Sequence, residues 1–65
     1  MDRIVESHQF GPHRVDVMEC VDDDGTLYRV LADDVMVTAE PLESRPRFEE
    51  VVRIYARWQS RTGPG

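Results

Sequence analysis

Three side chains in the first third of this 65-residue chain are of types that ligate metals or act as nucleophiles: His8, His13 and Cys20. The two histidines flank Gly11-Pro12, so a hairpin at that break brings them toward each other. A zinc site needs three or four converging ligands, each oriented by a further hydrogen bond. Cys20 follows His13 by seven positions. Within one strand an odd spacing puts the two side chains on opposite faces, so they do not converge. A Cys-His nucleophile pair fails for the same reason, and it would also need an orienting group and oxyanion donors. The expected roles are two surface histidines and a small buried thiol. No metal, no cofactor and no catalytic residue is expected, and a chain this short leaves little room for a substrate cleft.

Asp22-Asp23-Asp24-Gly25 has the opening composition of a calcium loop, and Asp33 stands where the loop's closing ligand would fall. The intervening Leu27, Tyr28 and Val30 are strand formers, which favours a tight acidic turn over an ion-binding loop.

The other chemistry-bearing stretch is RFEEVVRIYARWQSR, residues 47–61, with four arginines and the only tryptophan. On a helix, Arg53 and Arg57 share the outward face with Glu49 and Glu50, and interleaved acids spoil a phosphate-reading surface. At 100° per residue, Ile54, Trp58, Val51, Tyr55, Phe48 and Val52 fill an arc of about 160°. A core stripe needs only about 100°. Phe48 is expected in the core. At one edge of the surplus lie Ile54 and Trp58 with Arg57 and Arg61 nearby. That edge either packs beneath the chain at Pro41-Leu42 or forms a contact shoulder. Tryptophan and arginine beside an aliphatic residue is the composition of binding hot spots. Ile54, Arg57, Trp58 and Arg61 are therefore the candidate partner-binding residues.

The elements that must position these residues follow from periodicity. Residues 4–10, 13–21, 26–32 and 35–39 read as strands, with Ile4, Glu6, His8 and Phe10 on one face of the first. Gly11-Pro12, Asp22–Gly25 and Asp33-Asp34 separate them, the last turn being the weaker because it lacks glycine. A helix is predicted over residues 46–61, with Pro46 as its first residue, Glu49 and Glu50 near its positive end and Arg57 and Arg61 near its negative end. Short connections make the strands an antiparallel meander, and the helix covers one face. The expectation is a single small α+β domain over residues 1–65, with 62–65 as a flexible tail.

The net charge is −5, divided into −8 over residues 1–43 and +3 over residues 44–65. The acidic balance disfavours nucleic acid, whose phosphates dominate such binding. All eight basic residues are arginine, which fits GC-rich bacterial coding. One cysteine rules out an intrachain disulfide and suits a reducing compartment. The acidic N-terminus does not read as a secretory signal, and no stretch is long and apolar enough to span a membrane. A cytoplasmic location is expected.

A domain of this size usually needs a staple, and with neither disulfide nor metal spacing the remaining remedy is oligomerisation. Val15 and Val17 would occupy one face of the sheet and Met18 and Cys20 the other. One helix covers only one face, so a homodimer is expected through the uncovered face or an edge strand. The functional expectation is a non-enzymatic interaction, regulatory or accessory module that self-associates and binds a protein partner. The alternative is a nucleic-acid-binding protein using its arginine-rich helix.

Overall fold

The computed structural model describes residues 1–62. Four strands, β1 (Asp2–Phe10), β2 (His13–Asp22), β3 (Gly25–Ala32) and β4 (Val35–Met36), precede one helix, α1 (Phe48–Thr62). The strands form one antiparallel sheet in the order β1-β2-β3-β4. This is the expected α+β meander with a C-terminal helix. Of the tail expected at 62–65, Thr62 closes the helix and residues 63–65 lie outside the described residues.

Each hairpin closes over two residues, and each turn solves the same backbone problem differently. Gly11, at φ +60°, with Pro12 after it, carries the chain from Phe10 to His13. A positive φ followed by proline's negative one matches the right-handed twist of the flanking strands. At the acidic turn the Asp24 amide donates to the Asp22 carboxylate at 2.8 Å. Asp33 and Asp34 both adopt positive φ, 50° and 69°, without a glycine. Aspartate tolerates that region better than most residues. Side chains also fix this turn. Asp33 accepts from the Arg14 amide at 3.0 Å and pairs with His13 Nδ1, and Arg14 reaches Asp34 at 2.8 Å.

Strand β4 is shorter than the predicted 35–39. The Val37 amide still donates to the Val30 carbonyl at 2.9 Å. At Thr38 the side-chain hydroxyl, not the backbone, accepts the Val30 amide, at 3.4 Å. This local competition ends the ladder. The chain then leaves the sheet and returns at Leu42, which exchanges two backbone hydrogen bonds with Tyr28, at 2.8 and 2.7 Å.

The first strand also departs from simple alternation. Ile4 pairs with Met18 and Glu6 with Val17, so Val5 is an extra residue in a β-bulge. Cross-strand partners share a face. Ile4 therefore lies on the face of Met18, opposite Glu6, His8 and Phe10, and Val5 packs against the core. The expected grouping of Ile4 with Glu6, His8 and Phe10 is corrected by this one inserted residue.

The helix begins at Phe48, two residues later than predicted. The Arg47 carbonyl accepts from the Glu50 and Val51 amides at 2.9 and 3.0 Å, and Glu50 Oε1 accepts the Arg47 amide at 3.4 Å. Arg47 is thus the N-cap, with Glu50 at the third position reaching back as in a capping box. Pro46 sits one residue before the cap and is buried, as is Val51 at the fourth helical position. Those are the positions of a hydrophobic staple, which sets the angle at which the chain enters the helix.

The fully buried core is Val15, Val17, Val30, Ala32 and Val51. Val51 is the only helical residue among them. Ile54, Tyr55 and Trp58 pack around it, half-buried. Phe48 is 57% exposed and Val52 39% exposed, so the expectation of a core Phe48 is wrong. The helix sits on the sheet through the Val51 stripe, and the width its apolar arc does not need spills out at the Phe48/Val52 edge. Phe48 rests sideways against His8 and Phe10, with ring centroids 5.2 and 5.9 Å apart.

A tether joins the segment before the helix to β1. Arg45 Nε donates to Glu6 Oε2 at 2.8 Å and its Nη2 to the Val5 carbonyl at 3.2 Å. The Arg45 guanidinium holds the Glu6 carboxyl below its usual range, with a lesser contribution from His8. The folded carboxyl gives up its proton more readily than the unfolded one. Its stabilisation is therefore complete above about pH 4.3 and is lost as pH falls below that value. Urea midpoints for the wild type should fall between pH 5 and pH 3. Glu6→Gln should lower the midpoint at pH 7 and flatten that fall. Identical pH profiles for the two proteins would show that the tether contributes nothing.

Candidate interaction surfaces

Two surfaces stand out. The first is a groove of about 290 Å³ between the second half of α1 and the 37–42 crossover. Ile54 and Trp58 form its helical wall, Val37 and Leu42 the opposite one, and Arg57 and Arg61 stand on the rim. All four residues singled out from the sequence thus border one concavity. Ile54 and Trp58 are half-buried and pack on the core, while Arg57 and Arg61 are exposed. The crossover side is the part of the groove without a site signal in the sequence beyond Pro41-Leu42 as cover for the helix edge.

Each wall is fixed from behind. The Tyr28 backbone holds Leu42, and the Val30 amide holds Thr38. Trp58 meets His13 edge-on at 5.7 Å and Tyr55 at 5.9 Å. His13 is in turn bonded to Asp33, whose carboxyl that contact and the Arg14 amide hold below its usual range. A row of rings (Phe48, His8, Phe10, Tyr55, His13, Trp58) runs along the junction of helix and sheet. The groove is at the small end of ligand cavities, sized for a side chain or two rather than for a cofactor.

Charge distinguishes the rim. Arg3, Arg14 and Arg45 pair with acids of their own chain. Among the described residues Arg57 and Arg61 make no ion pair, and neither do Arg29, Arg47 and Arg53. Of these five, only Arg57 and Arg61 border the groove. Glu40 lines the opposite side and is exposed.

The second surface is the sheet face away from the helix. Register places Ile4 beside Met18, Cys20 beside Leu27, and Leu31 between Asp16 and Met36. Ile4 and Met36 are 48% and 45% exposed, and the other apolar members are half-buried. Asp16 is only 4% exposed on this same face. Its two oxygens accept from Ser7 Oγ at 2.7 Å and from Arg14 Nε at 3.1 Å, so the carboxylate is satisfied within the chain. Ile4 joined this patch through the bulge, which no residue type in the sequence announced.

The metal-capable residues are separated. His8 contacts Glu6 and His13 contacts Asp33, while Cys20 lies on the opposite face with Met18. Among the described residues no group of three or more His, Cys, Asp or Glu side chains is placed to hold a metal ion. Burial pushes the Cys20 thiol up, and neighbouring Asp2 adds to this. A raised thiol is a small apolar group rather than a nucleophile. Among the described residues, no helix is long and apolar enough to cross a membrane. Compared with protein-family models, with curated proteins and with solved structures, the chain matches none.

Proposed function

We propose that this domain is a non-enzymatic protein-interaction module, regulatory or accessory in kind, that pairs with a second copy of itself through the open sheet face and also engages a protein partner. The observation that carries this reading is a sheet with apolar side chains on both faces and a single helix to cover them. Ile4, Met18, Cys20, Leu27, Leu31 and Met36 gather on the side the helix leaves open. The one deeply buried acid there, Asp16, already has its partners, so covering it strands no charge; Arg29, opposite Met18 on the same face and without an ion pair among the described residues, has to find its carboxylate in the second copy. The β1 edge is a poorer choice, because a bulge interrupts it and Arg45 occupies the Val5 carbonyl; both devices blunt edge pairing. The half-buried thiol suits a reducing, cytoplasmic setting.

The open face measures about 14 by 26 Å from strand spacing and rise. Two such faces cover roughly 730 Å² together in plan, at the small end of interface sizes, so a weak dimer is expected. Sedimentation equilibrium at tens of micromolar should give twice the 7.5 kDa chain mass. Met18→Arg should yield a folded monomer. A wild-type protein that stays monomeric throughout that range would remove the self-association reading.

Nucleic-acid binding remains a second reading because Arg47 at the cap of α1 and Arg53, Arg57 and Arg61 along it are exposed and make no ion pair among the described residues. Glu49 and Glu50 on the same helix and a net charge of −5 work against it. Phosphate-driven binding collapses as salt rises, and a contact centred on Trp58 does not.

A further inference from the structure

We propose that the groove between α1 and the 37–42 crossover takes an acidic-apolar peptide segment of a protein partner, its apolar side chain against Ile54 and Trp58 and its flanking carboxylates on Arg57 and Arg61. This rests on the protein-interaction reading but not on self-association, which uses the opposite side of the sheet.

Three observations converge on this occupant. The groove is walled by apolar side chains from both sides, Val37 and Leu42 facing Ile54 and Trp58. Its size of about 290 Å³ fits a side chain better than a folded surface or a cofactor. Its rim carries two guanidiniums with no ion-pair partner among the described residues, in a chain whose net charge is −5. The chain has eleven acids before residue 44, yet none of its described carboxylates is spent on Arg57 or Arg61. Planar guanidiniums suit carboxylates in a paired, directional way. Glu40 across the groove repels a uniformly acidic ligand and so favours one whose centre is apolar and whose charges lie toward the helix. A strand-adding ligand does not fit, because the outward backbone groups of β3 at Tyr28 and Val30 are already taken by Leu42, Val37 and Thr38.

Trp58 is the only tryptophan, so its emission reports on the groove directly. The probe is a capped hexapeptide with Leu-Phe between two pairs of aspartates, titrated to about 1 mM, the weak end of measurable binding. Two comparison probes are the same peptide with lysines replacing the aspartates and a single-stranded DNA 12-mer. The acidic peptide is expected to shift Trp58 emission and saturate, with backbone amide shifts moving at Thr38, Ala39 and Ile54. The lysine peptide should not saturate. Arg57→Glu with Arg61→Glu should weaken binding at least about tenfold, while Arg53→Glu, outside the groove on the same helix, leaves it unchanged. These three positions are exposed, so circular dichroism should show all variants folded. The proposal falls if the acidic peptide fails to saturate, or if Arg53→Glu harms binding as much as the double variant. It also falls if the DNA binds more tightly and is the ligand sensitive to all three arginines. Sedimentation of the same samples keeps the outcomes separate: an intact dimer with an empty groove sinks this inference alone.

Discussion

Replacing Val51 with aspartate is expected to unfold this domain outright. Val51 is fully buried and is the only helical residue in the core cluster, at the centre of the contact that Ile54, Tyr55 and Trp58 extend around it. An aspartate there must bury a charge or hold a proton against its ordinary pKa, at a cost of several kcal/mol. A single-core domain below about 70 residues rarely has more than about 3–5 kcal/mol in reserve. Phe48→Ala should behave in the opposite way despite removing a far larger group. Phe48 is 57% exposed, and its close ring contacts are with His8 and Phe10. Losing them should cost about 1 kcal/mol. Circular dichroism and urea unfolding of the two variants test the pair. A cooperative transition in Val51→Asp, or a loss above about 3 kcal/mol in Phe48→Ala, would mean that the helix is seated elsewhere.

Trp58→Ala should cost about 2–3 kcal/mol, less than the 3–5 typical of a fully buried aromatic. The indole packs on the core and against the rings of His13 and Tyr55, yet it is only half-buried because its remaining side lines the groove. Trp58→Phe should recover most of that loss, since it keeps the ring contacts. Arg61→Ala, on the rim, should change stability by less than about 0.5 kcal/mol. Urea unfolding followed by circular dichroism gives all three values. If Trp58→Ala costs under about 1 kcal/mol, the tryptophan carries no structural role. If it unfolds the protein as Val51→Asp does, no part of it is available to a partner.

The elements were legible because their signals are local. Gly11-Pro12 and Asp22–Gly25 punctuate alternating runs, and the residues between them pair as alternation predicts. Asp33-Asp34 is a turn although neither residue is glycine, because His13 and Arg14 hold it from the neighbouring strand. That is a tertiary cause the local sequence does not display. The helix starts later than Pro46 although proline is compatible with a first helical residue, because the Glu50 and Val51 amides close on the Arg47 carbonyl and leave the buried Pro46 just outside that cap. The surplus of the apolar arc was legible, but its direction was not. Periodicity gives the width of a stripe, and only the sheet beneath decides which edge is left over. The four candidate residues shared a helical edge in the sequence and share a groove in the structure. The far wall of that groove depends on where Thr38 breaks the ladder, a competition between hydroxyl and backbone that composition does not reveal.

The strand order carries a consequence for how the chain acquires its shape. Every strand pairs with its neighbour in sequence across a two-residue turn, so no long loop has to close before the first contacts reward it. A chain growing from its N-terminus has all four strands in hand by Met36. The helix begins only at Phe48. Until it arrives, Val15, Val17 and Val30 face water on one side while Ile4, Met18 and Leu31 face it on the other. This nascent sheet is sticky on both faces, and the fifteen-residue helix that comes last covers one of them.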